Sequence, residues 1–148
     1  MKLPITVDNL MELWSKDAPI DETEPGRELI KIASLHSQYL RIMTHHNLIA
    51  KKQMSDYLKL KKLKVEYYKG DLNNPDDLKQ YGYEPFTKIP GRDIGIYIDS
   101  DEELNNLLLK KVINEEIVEF CKAVLKELSN RTWQLKTYID YERFIGGQ

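Results

Sequence analysis

The chain is predicted to be all-α: a long central helix plus C-terminal helices forming an elongated helical bundle, with an irregular connector. Three observations carry this. Residues 27–69 run for 43 positions without glycine or proline. Within them Leu29, Ile32, Ala33, Tyr39, Leu40 and Met43 recur at the three- and four-residue spacing of one helix face. A second run of that spacing passes from Leu104 through Leu108, Val112, Ile117, Cys121 and Val124 to Leu128. At 148 residues the chain fits one helical domain, 1–148: a short helix and a long basic helix over 1–69, the connector over 70–98, and C-terminal oligomerisation helices over 99–148.

The elements follow in order. Thr6 to Lys16 reads as a short amphipathic helix with Leu10, Leu13 and Trp14 on one face, Thr6 or Asp8 as its cap, and Pro19 as its end. Thr23 is the expected cap of the long helix, with Pro25 tolerated in its first turn. The stretch LKLKKLKVEYYKG (58–70) alternates locally like a strand. Its register slips at Lys61-Lys62 and no turn residue separates it from the helix before it, so it reads as helix, closed by Gly70 in a left-handed conformation. Such a helix, about 60 Å long, needs packing partners along its length. Glycines and prolines then punctuate a connector longer than ordinary loops, in which Ile94–Ile98 could pair as a brief strand. Ser100 and Glu103 fit a capping box opening the next helix. A break is expected near Ser129-Asn130, before a last helix from Thr132 to Phe144 stopped by Gly146-Gly147.

Composition excludes several classes. No apolar run approaches the roughly 20 residues that span a bilayer. The N-terminus lacks the apolar core of a secretory signal, and a lone Cys121 in an apolar context suits a reducing cytoplasm. Net charge is only −2, but it is segregated. Residues 45–69 carry seven lysines against Asp56 and Glu66, a local +5, whereas residues 70–106 carry three basic and nine acidic groups, a local −6.

No enzyme motif is present, and no cofactor or metal is expected. Gly91-Arg-Asp-Ile-Gly95 lacks the Gly-Lys-Ser/Thr of a phosphate-cradling loop. His45 and His46 are adjacent, so on a helix they point about 100° apart and cannot share a metal. Cys121 reads as core rather than nucleophile, the Asp99–Glu103 run as a helix start rather than a cation site, and Trp14 and Trp133 as packing anchors. The lysine block is either a solvated helix face or a polyanion site. Its scarcity of interspersed acids and its tyrosines, Tyr57, Tyr67 and Tyr68, favour single-stranded nucleic acid, held by counterion release and base stacking without sequence readout. The candidate contacts are Lys51, Lys52, Lys59, Lys61, Lys62, Lys64, Lys69, Tyr67 and Tyr68. The rival reading is a helical oligomer or adaptor whose lysine block docks the acidic 70–106 region of a neighbour.

Four segments carry a family resemblance: Ser34–Leu40 (SLHSQYL), Leu60–Gly70 (LKKLKVEYYKG), Asp99–Leu104 (DSDEEL) and Asn130–Gly147 (NRTWQLKTYIDYERFIGG). Together with length and element order they resemble the UvsY-type recombination mediators of T-even-related bacteriophages. The resemblance implies a non-enzymatic ring of six or seven subunits in the cytoplasm of the infected host cell. It would bind single-stranded DNA and help a RecA-like recombinase displace the single-strand-binding protein. The family's Lys-x-Arg pair before the tyrosines falls on Lys62 and Lys64; lysine at the second position keeps the charge but loses bidentate phosphate geometry. The family's C-terminal oligomerisation helix maps onto Arg131–Ile145, with Trp133, Leu135, Tyr138, Ile139 and Phe144 as contacts.

Overall fold

A computed structural model describes residues 1–147, and all regular structure among them is helical. Helix α1 spans Val7–Asp17, α2 Pro25–Tyr68, α3 Pro75–Tyr81, α4 Ile94–Asp99 and α5 Glu102–Ile145, with a 3-10 turn at Gly91–Asp93 leading into α4. Helices α2 and α5 have 44 residues each, about 66 Å at 1.5 Å per residue. No helix is long and apolar enough to cross a membrane among the described residues.

The chain forms two compact units, Met1–Ile49 together with the residues from Ile113 onward, and Ala50–Val112. In the first unit Leu10 of α1 is buried with Tyr39 and Ile42 of α2 and with Ile117, Cys121, Val124 and Leu128 of α5. Burying such side chains contributes about 1.5–3 kcal/mol each, and this drives association of helices whose own propensities are ordinary. Most polar groups that the core encloses are partnered, the buried His45 Nε2 and Arg131 Nε being exceptions. Tyr39 donates its hydroxyl to Asp17 Oδ2 at 2.8 Å, and the Trp14 ring meets the Tyr39 ring edge-on at 5.5 Å. His46 accepts the Ile5 amide on Nε2, so its proton sits on Nδ1 and is donated to Asn114 Oδ1 at 2.6 Å. Arg131 is buried and donates to the carbonyls of Ala18 (2.7 Å) and Asp17, satisfying the C-terminal end of α1. Cys121 is fully buried, and desolvation pushes its thiol pKa up to about 11, which disables it as a nucleophile near neutrality.

In the second unit, the α2 segment from Ala50 and the first turns of α5 carry the polypeptide of the connector. Gly70 follows α2 at φ +77°, the region where any Cβ is strained. Ala50 of α2, Leu78 of α3, Ile98 of α4 and Leu104 of α5 are its buried apolar side chains, beside a chain of ring contacts described below.

Several local expectations are corrected. Thr23 does not cap α2: its amide and hydroxyl both donate to Asp21 Oδ1, and Pro25 opens the helix with its φ already set. Ser100 does not cap α5 either. Helix α4 ends at Asp99, so the Ser100 hydroxyl turns back to the Ile96 carbonyl. Asp101, one residue on, accepts the Leu104 amide at 2.9 Å. Ile94–Ile98 is helical rather than a strand. It has no strand to pair with, and at helical spacing Ile94 and Ile98 share a face. The connector thus carries short helices at Pro75–Tyr81 and Ile94–Asp99 between irregular stretches. No break occurs at Ser129-Asn130: the Ser129 and Thr132 hydroxyls donate to the carbonyls of Leu125 and Leu128, and the buried stripe continues through Leu128, Arg131 and Leu135. What was expected as two C-terminal helices is one.

Candidate nucleic-acid interface

The lysine block forms the last turns of α2. Lys51, Lys52, Lys59, Lys61, Lys62 and Lys69 are exposed, and none makes an ion pair among the described residues. At 100° per residue Lys51, Lys62 and Lys69 lie within about 20° of one another, with Lys52 and Lys59 about 80–100° around the helix. Asp56 and Glu66 are half-buried, Glu66 about 60° from Lys51 and between the two lysine rows, Asp56 about 140° from it. Six exposed lysines against two half-buried acids leave this segment net positive, and close cations repel one another.

Lys64 is placed differently. It is 5% exposed, with Nζ 3.0 Å from Asp101 Oδ2 and 3.2 Å from Glu103 Oε1, and 4.2 Å from the Tyr83 ring centroid. Burial works to lower its pKa, but the Asp101 and Glu103 hydrogen bonds override this and raise it. Asp101 shows the mirror balance. Burial works to raise it, but the Tyr68 hydroxyl, the Leu104 amide and the Lys64 ammonium hold it below its ordinary value. Tyr68 donates to Asp101 Oδ2 at 2.6 Å; burial and this bond push its phenol up to about 12. Lys64 thus ties α2 to the start of α5, and its charge is spent within the chain.

Tyr67 and Tyr68 are half-buried in the ring cluster. Tyr67 lies 5.0 Å from Tyr83 and 5.2 Å from Phe86, and donates its hydroxyl to the Glu84 carbonyl. Tyr68 contacts Phe86 and Tyr97. Their rings face protein neighbours, and Tyr81, 45% exposed and stacked on Tyr83, is the outermost ring of the cluster. The sequence reading did not find Asp101, Glu103, Tyr83 or Phe86 as partners of the lysine helix. One signal was present: a helical wheel puts Lys64 about 140° from Lys51, among Leu60, Tyr57, Tyr67 and Tyr68.

Of the expected oligomerisation residues, Trp133 (71% exposed), Tyr138 and Phe144 (82% exposed) face solvent, Ile139 is half-buried and Leu135 is buried within its own unit. Tyr141 and Ile145 extend the exposed apolar surface. The C-terminal end of α5 thus exposes several large apolar side chains.

The chain is an all-α protein built on two 44-residue helices, one of which carries an exposed basic face. The chain belongs to the UvsY family, described as recombination, repair and ssDNA binding protein UvsY, whose model matches residues 13–148. Among solved structures it is similar to the crystal structures of the bacteriophage T4 recombination mediator protein UvsY. Lattice type II matches at TM-score 0.83 and 17% identity over 96% of this chain and 98% of that one. Lattice type I matches at 0.80 and 17% over 92% and 98%, and lattice type IV at 0.78 and 16% over 95% and 98%. The T4 protein therefore shares the fold through nearly its whole length. No curated protein matches in sequence.

Proposed function

We propose that this protein is a non-enzymatic recombination mediator. It holds single-stranded DNA along the exposed lysines of α2 and promotes loading of a RecA-like recombinase onto DNA coated with single-strand-binding protein. Family membership supports recombination, repair and single-stranded DNA binding as the setting. The observation that carries the site is the set of six exposed, unpaired lysines at 51, 52, 59, 61, 62 and 69. Lysine ammonium groups recruit phosphates without reading bases, which suits a protein that must act wherever a strand is exposed. Lys64 contributes by holding the helix that presents the others, not by touching phosphate.

One subunit offers few charges, and a homo-oligomer multiplies them. Engagement of several copies by one strand raises affinity through effective concentration alone. The exposed Trp133, Tyr138 and Phe144 are the contacts proposed for assembly.

The test is fluorescence anisotropy of labelled oligo-dT over a salt series, with wild type and a Lys59→Ala/Lys62→Ala variant. Wild type should weaken with salt, and the variant should lose affinity and have a shallower slope, by about 0.7 for each lysine removed from the strand's path. A variant that keeps both affinity and slope would move the site elsewhere.

A further inference from the structure

The first unit has a shallow groove of about 600 Å³ along α2, beside the N-terminal segment. Leu3, Leu40 and Leu48 form its apolar walls, and Leu40 and Leu48 are 41% and 62% exposed. Ser37, Arg41 and Thr44 line it as well. From Ser37 the positions Arg41, Thr44 and Leu48 follow at four-, three- and four-residue steps, so they share one helix face. The three polar side chains are exposed, and none makes a hydrogen bond or ion pair among the described residues. His45 completes the lining. Its Nε2 is buried without a partner, which is rare in folded proteins and marks a hydrogen-bonding position that the chain itself leaves unfilled. No acid lies on α2 between Glu28 and Asp56, whereas Lys31, Arg41, Lys51 and Lys52 do.

We infer that this groove docks an acidic peptide segment of a partner protein, one that sets a leucine- or phenylalanine-like side chain beside its carboxylates. The apolar side chain packs between Leu40 and Leu48. A carboxylate takes the Arg41 guanidinium in a bidentate pair, and the Ser37 and Thr44 hydroxyls donate to its neighbours. Charge selects the sign of the occupant, because an acid-free stretch of helix bearing a free guanidinium attracts carboxylates and repels basic segments. The walls select peptide over nucleic acid. Single-stranded bases are held by stacking on aromatic side chains, and this groove presents three leucines and no phenylalanine, tyrosine or tryptophan. The groove shares no residue with the lysine block, and the inference goes beyond the DNA-binding proposal without depending on it.

Fluorescence anisotropy with the full-length protein tests it. The probe is a labelled peptide of aspartate and glutamate interrupted by leucine. Two matched peptides accompany it, one with asparagine and glutamine for the acids, the other with alanine for the leucines. Wild type should bind the probe and lose about tenfold in affinity with either matched peptide. Arg41→Ala and Leu48→Ala should each cost about tenfold as well. Both side chains are exposed, so the fold survives these changes, and circular dichroism checks this. Lys59→Ala/Lys62→Ala should leave peptide affinity nearly unchanged. Failure of folded wild type to bind the probe overturns the inference. So does binding that survives Arg41→Ala and Leu48→Ala but is lost in Lys59→Ala/Lys62→Ala, since the peptide would then sit on the lysine block. Loss of oligo-dT affinity in Arg41→Ala, with the probe unbound by wild type, would reassign the groove to nucleic acid. A shift of Leu48→Ala toward smaller species in sedimentation would make it a contact between copies, and overturn the inference equally. Oligo-dT binding is read separately, so either proposal can fail alone.

Discussion

Replacing Lys64 with methionine separates a structural lysine from a DNA-contacting one. The Lys64 ammonium is nearly dry, 3.0 Å from an Asp101 carboxylate that is itself buried. Removing one partner of such a pair strands the other charge, at a cost of about 3–5 kcal/mol. Two features reduce this. Asp101 keeps the Tyr68 hydroxyl and the Leu104 amide, and the Glu103 side chain is half exposed, so its bridge adds at most about 1 kcal/mol. The net loss for Lys64→Met should be about 3 kcal/mol. For a chain of this size that lowers Tm by roughly 9–12 °C. Adding Asp101→Asn removes the stranded charge while keeping a helix-capping oxygen, and should recover at least half of the loss. Calorimetry of wild type and the single and double variants measures this, with oligo-dT anisotropy beside it. The double variant should bind DNA with the wild-type salt slope. The reasoning is refuted if Lys64→Met is as stable as wild type, or if the double variant, though stable, loses affinity and slope as a phosphate-contacting lysine would.

The same pair sets a pH window. The Asp101 pKa is depressed below its ordinary 3.8, so its stabilisation is present above that value and fades as pH falls through the folded-state pKa. The Lys64 pKa is raised above 10.5, so its contribution is complete below that value and is lost only in stronger alkali. Stability measured by urea unfolding should therefore lose its Asp101 share only below about pH 4, and Asp101→Asn should flatten that acid limb. At the other end of α5, Trp133→Ala/Phe144→Ala should leave the monomer's melting nearly unchanged, because both side chains are exposed. It should shift sedimentation toward smaller species and weaken oligo-dT binding severalfold through lost multivalency; undiminished assembly would remove this surface from the interface.

Much of the architecture was legible in the sequence because it follows from periods and breakers. The long stretch without glycine or proline became α2, closed at Gly70, and Thr6 caps α1 through the Asn9 amide as expected. Capping and continuity were harder, because they turn on alternatives a few residues apart. Thr23 and Ser100 are good capping residues whose hydroxyls found other partners, and Ser129-Asn130 looked like a break until the buried Arg131 and Leu135 carried the stripe through it. Ile94–Ile98 shows the weakness of short alternating runs, which a one-turn helix satisfies equally well.

By itself the sequence determined helix class, charge segregation and the resemblance to a family, since all three are properties of order along the chain. Tertiary structure alone decided which lysine is which. Lys62 and Lys64 are two positions apart and chemically identical, yet helical geometry turns them about 160° from each other, toward solvent and toward Asp101. A buried charge must find its counter-charge, and Lys64 found it 37 residues downstream, a pairing that no local pattern encodes.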